Sequence, residues 1–340
     1  MRLRSIASQF PEQTFSQPEV WSLLKESPRF DTMKSRSQYL LESILLGDSG
    51  IESRGFSVSD LPRLFSASAG ELNRWHERYA HELAAGALRK ALAKDQMDIS
   101  ELDAIIVCTC TGYLCPGVSS YVAESLGAKP STYLQDIVGL GCGAAIPTLR
   151  SAEGFLAANP EAKVGVIAVE VCSAAFYLDD DPGVLISLCL FGDGASASIW
   201  DGVKSDGYVL SGFQTLHRPE HREKVRFENE GGFLKNKLHR AVPDLSSDAV
   251  LELWDKASVS DVDDIISHGG GKAVVEALRA KIPAYGFDSA AEVLAQHGNL
   301  SSPSVLVALE KELERGVGER FWLTSFGAGF AAHSVNLQKS

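Results

Sequence analysis

LQDIVGLGCGAAIPTLR, residues 134–150, is the stretch from which the fold is read. An apolar run over 133–140 leads into Gly141-Cys142-Gly143, two alanines follow, and 147–157 has the composition of a helix. This predicts a strand, a tight turn and a helix, with a cysteine at the helix entrance. Glycine on each side of Cys142 permits a sharp backbone turn and leaves room for a substrate carbonyl beside the sulfur. A helix N-terminus aims unpaired N–H groups at whatever precedes it, which favours a thiolate. Cys142 is therefore a candidate nucleophile. The plainer alternative is a small core cysteine, since free Cys is among the most buried residue types.

The same grammar extends in both directions. Residues 71–94 carry apolar side chains at helical spacing, with His76 and His81 assigned to the polar side. AIIVC (104–108) reads as a buried strand, 119–126 as a helix, 131–138 as a strand, and the helix after Cys142 stops near Asn159-Pro160. KVGVIAVEV (163–171) is another buried strand, and Phe191-Gly192-Asp193-Gly194 opens a strand at 196–200. In the second half, strands are expected at 207–214, 261–267 and 320–325, with a last one after GAGFAAH. Helices are expected at 247–257, 272–281 and 303–315. DVDDIIS (261–267) resembles SELDAIIV (100–107), and the stretch holding His217, His221 and His239 reads as charged and loop-rich. Strands alternating with helices argue for an α/β fold, in two similar halves covering 1–202 and 203–340.

The chain has 340 residues, and its net charge of -12 argues against a generic nucleic-acid or anionic-membrane surface. No run approaches the ~20 apolar residues of a membrane-spanning helix, and the first residues lack a signal peptide's apolar core. A cytoplasmic protein is expected. The six cysteines (Cys108, Cys110, Cys115, Cys142, Cys172 and Cys189) show neither zinc-ligand spacing nor a disulfide framework.

Two distant segments bear on Cys142. His268 ends an apolar strand and precedes three glycines, the only one of eight histidines so placed. Strand C-terminal ends are where α/β folds put chemistry. HGNLSS (297–302) is a turn opening a helix at Pro303. Capping or turn formation is the commoner use of an asparagine such as Asn299.

Cys, His and Asn, each on a turn and in that chain order, resemble the condensing enzymes of the thiolase fold, in particular the type III polyketide synthases, the chalcone synthase-like family. The resemblance runs over almost the whole chain: FPEQTFSQPEV, SGIESRGF, VCTCTGYLCPG, GLGCGAAIPTLR, LCLFGDGASASI, SHGGG, HGNLSS and SFGAGFAAHSVNL each resemble a family segment, in the family's order. It implies a five-layered αβαβα arrangement of two mixed-sheet halves. It also implies a homodimer that uses acyl-CoA and malonyl-CoA with no metal or organic cofactor. In this resemblance Cys142 carries the acyl group, while His268 and Asn299 supply the donors for decarboxylation and for the enolate oxygen. Phe191 matches a gatekeeper phenylalanine.

The departures lie in the cavity. The second gatekeeper falls on Asn236, a Thr-Ser pair on Cys110 and Thr111, and a methionine that crosses the dimer interface on Cys115. The smaller Cys115 points to a larger or differently directed cavity suited to a long acyl chain. The helix that holds the CoA phosphates in plant members matches residues 39–49, which have no basic residue; Lys34 and Arg36 lie just upstream. Delivery by an acyl carrier protein is the alternative. A ketoacyl synthase III-like enzyme, making one condensation, would use the same three residues, but SHGGG is unlike its usual His-Gln-Ala-Asn motif. A non-enzymatic partner subunit of the same fold would have lost one of the three.

Overall fold

The computed structural model describes residues 1–202, 206–257 and 261–340. The first half runs β1 (Arg2–Gln9), β2 (Thr14–Ser16), α1 (Gln17–Lys25), α2 (Ser35–Leu45), β3 (Ser53–Gly55), α3 (Leu61–Leu64), α4 (Ala69–Lys94), β4 (Ala104–Cys108), α5 (Val118–Leu126), β5 (Tyr133–Ile137), α6 (Ala145–Ala158), β6 (Lys163–Glu170), α7 (Pro182–Leu190) and β7 (Gly194–Asp201). The second runs β8 (Tyr208–His217), β9 (Val225–Glu230), β10 (Phe233–Leu238), α8 (Val242–Lys256), β11 (Asp264–Ser267), α9 (Lys272–Lys281), α10 (Asp288–His297), α11 (Ser304–Arg315), β12 (Arg320–Gly327) and β13 (Ala331–Lys339).

Nine strands are hydrogen-bonded in the order β11-β12-β13-β8-β1-β7-β6-β4-β5. The two halves meet along β1 and β8, where Arg2 pairs with Val209. On one side β4 is parallel to β6, and β6, β7 and β1 are successively antiparallel. On the other, β11 is parallel to β12, and β12, β13 and β8 are successively antiparallel. The pairing scheme is thus the same twice, with β5 added outside β4 in the first half. The expected division at 202/203 abuts residues 203–205, which lie outside the described residues.

The layering follows from the two-residue period of strands. Ala104, Ile106 and Cys108 of β4 face a core built with α6 and α11, which also receives Ile266, Phe321, Leu323 and Val335 of the second half. Ile105 and Val107 face the opposite way, onto α4 and α5. Ile265, Trp322 and Ala332 face α8 and α9. The order is therefore helices, sheet, central helices, sheet, helices: the expected five layers. A further cluster (Val20, Leu24, Leu41, Leu61, Leu185, Leu188 and Phe191) packs α1, α2, α3 and α7 together beside Cys142.

Helix α4 starts where a capping box forms: the Ser68 hydroxyl accepts from the Glu71 N–H, and the Glu71 carboxylate accepts from the Ser68 N–H. His76 is not on its polar side; it is 2 % exposed, and neither ring nitrogen has a hydrogen-bond partner. Its ring fills space left by Gly112, where a side chain would collide with it. The charged stretch after His217 is also ordered. Its β9–β10 hairpin pairs Phe227 with Asn236 and turns at Gly231-Gly232.

Candidate active site

Cys142 lies in a 3-10 turn, Gly141–Gly143, between β5 and α6. Gly141 has φ +58°, a left-handed conformation that costs most residues free energy. A Cβ on Gly143 would lie 3.2 Å from the Phe326–Gly327 backbone, so the Cys142 turn is pressed against the end of β12. Ser325 Oγ secures this contact by donating to the Gly143 carbonyl at 3.0 Å. His268 follows the last residue of β11; its N–H donates to Thr324 O at 3.0 Å, and its ring meets Phe326 edge-on at 5.1 Å. Asn299 follows α10 and bridges Phe191: Asn299 N–H donates to Leu190 O at 2.8 Å, and Gly192 N–H to Asn299 O at 3.1 Å.

These segments, far apart in sequence, line one cavity of about 60 Å³, together with Cys110, Phe191, Arg226, Phe227 and Asn236. Asn299 Nδ2 donates one proton to Gly270 O at 2.7 Å, and Oδ1 accepts from the Ser301 N–H at 2.8 Å. An amide nitrogen has two protons, so Asn299 keeps one donor in reserve. Ser301 Oγ donates to Cys142 Sγ at 3.2 Å.

The thiol does not follow the expectation of a favoured thiolate. Burial pushes Cys142 up to about 12, and the nearby Glu170 carboxylate adds to this; the Ser301 hydroxyl opposes it without prevailing. Helix α6 begins three residues after Cys142, beyond the 3-10 turn. Burial also pushes His268 down to about 4, which leaves its imidazole neutral at neutral pH. Its Nδ1 is buried without a hydrogen-bond partner.

A second space of about 20 Å³ shares Cys110, Phe191, Phe227 and Asn236 with the first and adds Thr111, Cys172 and Leu234. The two are thus separated by a wall of four residues. Cys115 is exposed and lines neither space, and Phe227 occupies the wall between them. Both spaces are far below the ~300–1,000 Å³ of typical ligand pockets. Asn236 is 6 % exposed, and its Nδ2 donates to Ser187 Oγ at 2.7 Å. Lys34 pairs with Asp180 at 3.7 Å, on the surface away from the cavity lining.

Two features beside the cavity escaped the sequence reading: the hairpin that carries Phe227 and Asn236, and Glu170. Phe227 and Asn236 belong to a hairpin whose period-2 pattern (Val225, Phe227; Leu234, Asn236, Leu238) was masked by its charged neighbours, although Gly231-Gly232 marks the turn. Glu170 is fully buried at the end of β6. It accepts from Ser302 Oγ at 2.5 Å, Cys110 N–H at 2.9 Å, Thr111 Oγ1 at 2.9 Å and Thr111 N–H at 3.1 Å. A lone glutamate closing an apolar strand was the available signal, because a buried carboxylate persists only when paired or hydrogen-bonded.

Residues 59–203 match the family model described as "Chalcone and stilbene synthases, N-terminal domain". The chain is 29% identical to a 3,5-dihydroxyphenylacetyl-CoA synthase of Streptomyces toyocaensis, over 99% of this chain and 90% of that protein. It is 29% identical to a 1,3,6,8-tetrahydroxynaphthalene synthase of Streptomyces coelicolor, over 76% and 72%. Among solved structures, the tetrahydroxynaphthalene synthase of S. coelicolor superposes with a TM-score of 0.87 at 23% identity, covering 100% of this chain and 99% of that one. CsyB complexed with CoA-SH gives 0.88 at 20%, covering 100% of each. The structural likenesses establish the fold; residues 59–203 carry the chalcone and stilbene synthase N-terminal pattern, and over most of its length the chain is similar to bacterial synthases of the type III polyketide synthase kind.

Proposed function

We propose that this protein joins malonyl-CoA units to an acyl starter by decarboxylative condensation, with Cys142 as the acyl-carrying nucleophile and His268 and Asn299 as the donors. The observation that carries the reading is the convergence of these three residues, from three distant turns, on one apolar cavity.

In the first half-reaction Cys142 Sγ attacks the starter thioester carbon. The proton leaves the sulfur for the neutral His268 imidazole, and the CoA–carbon bond breaks as CoA takes that proton away. A thiol pushed up to about 12 transfers its proton during the attack, as so little of it is ionised beforehand. Next, malonyl thioester loses CO2, and the electrons of the broken C–C bond become an enolate. Its oxygen accepts from a His268 N–H and from the Asn299 Nδ2 proton that Gly270 does not use. The enolate carbon attacks the acyl carbonyl, Cys142 departs as thiolate, and backbone N–H groups at the nucleophile turn support the transient oxyanion. The thioester supplies the activation at both carbons, so the cycle calls on no further cofactor.

CoA is favoured over a carrier protein as the donor, because a structural neighbour binds CoA and a relative is named for a CoA thioester product. Arg226, whose Nη1 is 3.0 Å from Glu223 and Nη2 2.7 Å from Glu228, is a cation in the cavity wall that can meet an anionic substrate group. A homodimer is supported by the outer strand β5 and the loop before α5, which leave Tyr113, Tyr133, Leu134 and Val138 exposed along an edge with unpaired backbone groups. A cytoplasmic setting fits six unpaired cysteines; no helix among the described residues is long and apolar enough to cross a membrane.

The test is incubation with malonyl-CoA and a panel of acyl-CoAs, with mass spectrometry of the products. Products longer than the starter by two-carbon units, absent with Cys142→Ala, are expected. Condensation that survives Cys142→Ala would overturn the assignment.

A further inference from the structure

Arg54, in SGIESRGF (residues 49–56), is fully buried and takes no part in the steps above. It lies on β3, and its head group reaches the C-terminal end of α7. Nη1 donates to Leu188 O at 2.6 Å and to Phe191 O at 2.8 Å; Nε donates to Gln17 Oε1 at 3.0 Å. Nη2 is buried with no hydrogen-bond partner. A cation at a helix C-terminus is favourably placed, because it meets carbonyls that have no partner within the helix. Its side-chain stem has a second role. A Cβ on Gly298, which has φ +71°, would lie 2.8 Å from Arg54 Cγ and Cδ, and one on Gly192 would lie 3.5 Å from Arg54 Cβ. The stem therefore backs both sides of the Phe191–Asn299 bridge, while the head holds the carbonyl of Phe191 itself.

Enclosing a guanidinium is expensive, and an apolar side chain of similar volume is often at least as stable. Arg54 nonetheless provides what an apolar residue lacks: a planar guanidinium whose Nη1 fixes two carbonyls while its Nε is anchored on Gln17. We propose that Arg54 is a positioning residue that holds the gate Phe191 and the donor Asn299 in one rigid frame, so that product length and malonyl decarboxylation respond together when the frame is loosened. The inference rests on the condensing function proposed above.

The experiment compares Arg54→Met, Arg54→Lys and Gln17→Leu with the unaltered protein. Amide hydrogen exchange is read at Gly192 and Asn299, with Val166 of β6 as an internal reference. CO2 release from malonyl-CoA, product chain length and Cys142 alkylation are also measured. Losing hydrogen bonds from a charged donor accelerates local opening by about tenfold or more, so exchange at Gly192 and Asn299 rises together by about that factor in Arg54→Met. CO2 release falls about tenfold, product lengths change, and Cys142 alkylation stays within about twofold. Arg54→Lys keeps the charge but not the fork, and remains impaired. Should Arg54→Met fail to fold, Gln17→Leu, which removes the Nε acceptor along with the Gln17 Nε2 bonds to Cys189 O and Ser49 Oγ but leaves both Nη1 bonds, shows the same paired rise at smaller size. Unchanged exchange in a folded variant, or a rise at one amide without the other, overturns the proposal. A protein that releases no CO2 even when unaltered refutes the condensing function instead, and the exchange result still decides the role of Arg54.

Discussion

Replacing Ser301 by alanine tests the electrostatic account of Cys142, the proposed nucleophile. The Ser301 hydroxyl donates to Cys142 Sγ at 3.2 Å, and it is the main influence lowering a thiol that burial pushes up to about 12. Alanine removes the hydroxyl and retains the Ser301 N–H that orients Asn299 Oδ1 at 2.8 Å, so the donor pair stays in place. A hydrogen bond to a charged acceptor is worth about 1.5–3 kcal/mol, or roughly one to two pKa units. The thiolate fraction at neutral pH then falls about 10- to 100-fold. A more basic thiolate is intrinsically more nucleophilic, with a Brønsted slope of about 0.45, which returns a factor of roughly 3 to 8. The net expectation is a Cys142 alkylation rate lowered by about 3- to 13-fold, with the pH profile moved upward. The assay is iodoacetamide labelling across pH, read by mass spectrometry at the peptide holding Cys142. Exposed Cys115 provides the internal control. A rate in Ser301→Ala equal to or above that of the unaltered protein would refute the reasoning.

Phe227→Ala should merge the two spaces that share Cys110, Phe191, Phe227 and Asn236 and lengthen the acyl chains accepted, by mass spectrometry of products; an unchanged product range would count against Phe227 as the wall. Stability should fall as pH drops from about 6.5 towards 4, because burial pushes His76, His268, His297 and His333 down to about 4, and the unfolded chain then binds protons that the folded chain refuses. Each such histidine contributes a slope of about 1.4 kcal/mol per pH unit in that window. Buried Glu170 and Asp193, whose carboxyls burial pushes up, act in the opposite sense and reduce the net slope. Thermal melting at constant ionic strength would show it, and a midpoint unchanged from pH 7 to 5 would be inconsistent. Leu134→Glu combined with Val138→Asp, on the exposed β5 edge, should convert the proposed dimer to monomers by light scattering; a dimer that persists would place the interface elsewhere.

Legibility in the sequence followed the range of the interactions. Strand β4 lies at the bounds read from AIIVC, and α9 at those read for 272–281, because local periodicity alone defines them. Helix α8 begins at Val242, five residues before the expected 247, since a proline in its first turn is as compatible with a helix start as with a loop. The β9–β10 hairpin was hidden by five charged residues in its strands, Arg226, Glu228, Glu230, Lys235 and Lys237, whose ion pairs with one another and with Asp181 form only once the hairpin is folded. His76 was misplaced for a related reason: the space for its ring is created by Gly112, in a loop 36 residues further on (112 − 76).

By itself the sequence determined the α/β class, the repeated strand pattern and the three turns, at Cys142, His268 and Asn299, that meet at one cavity. Each of these rests on residue types and spacings within a few turns of chain. Only the tertiary structure decided how those turns meet: the press of Gly143 against Gly327, the Phe191–Asn299 bridge and the fully buried Arg54 behind it. It also decided the state of the thiol. A helix entrance near Cys142 argued for thiolate, but burial is a sum over every neighbour, most of them distant in the chain. That sum pushes the Cys142 thiol up and the His268 imidazole towards its neutral form, the combination on which the proposed proton transfer rests.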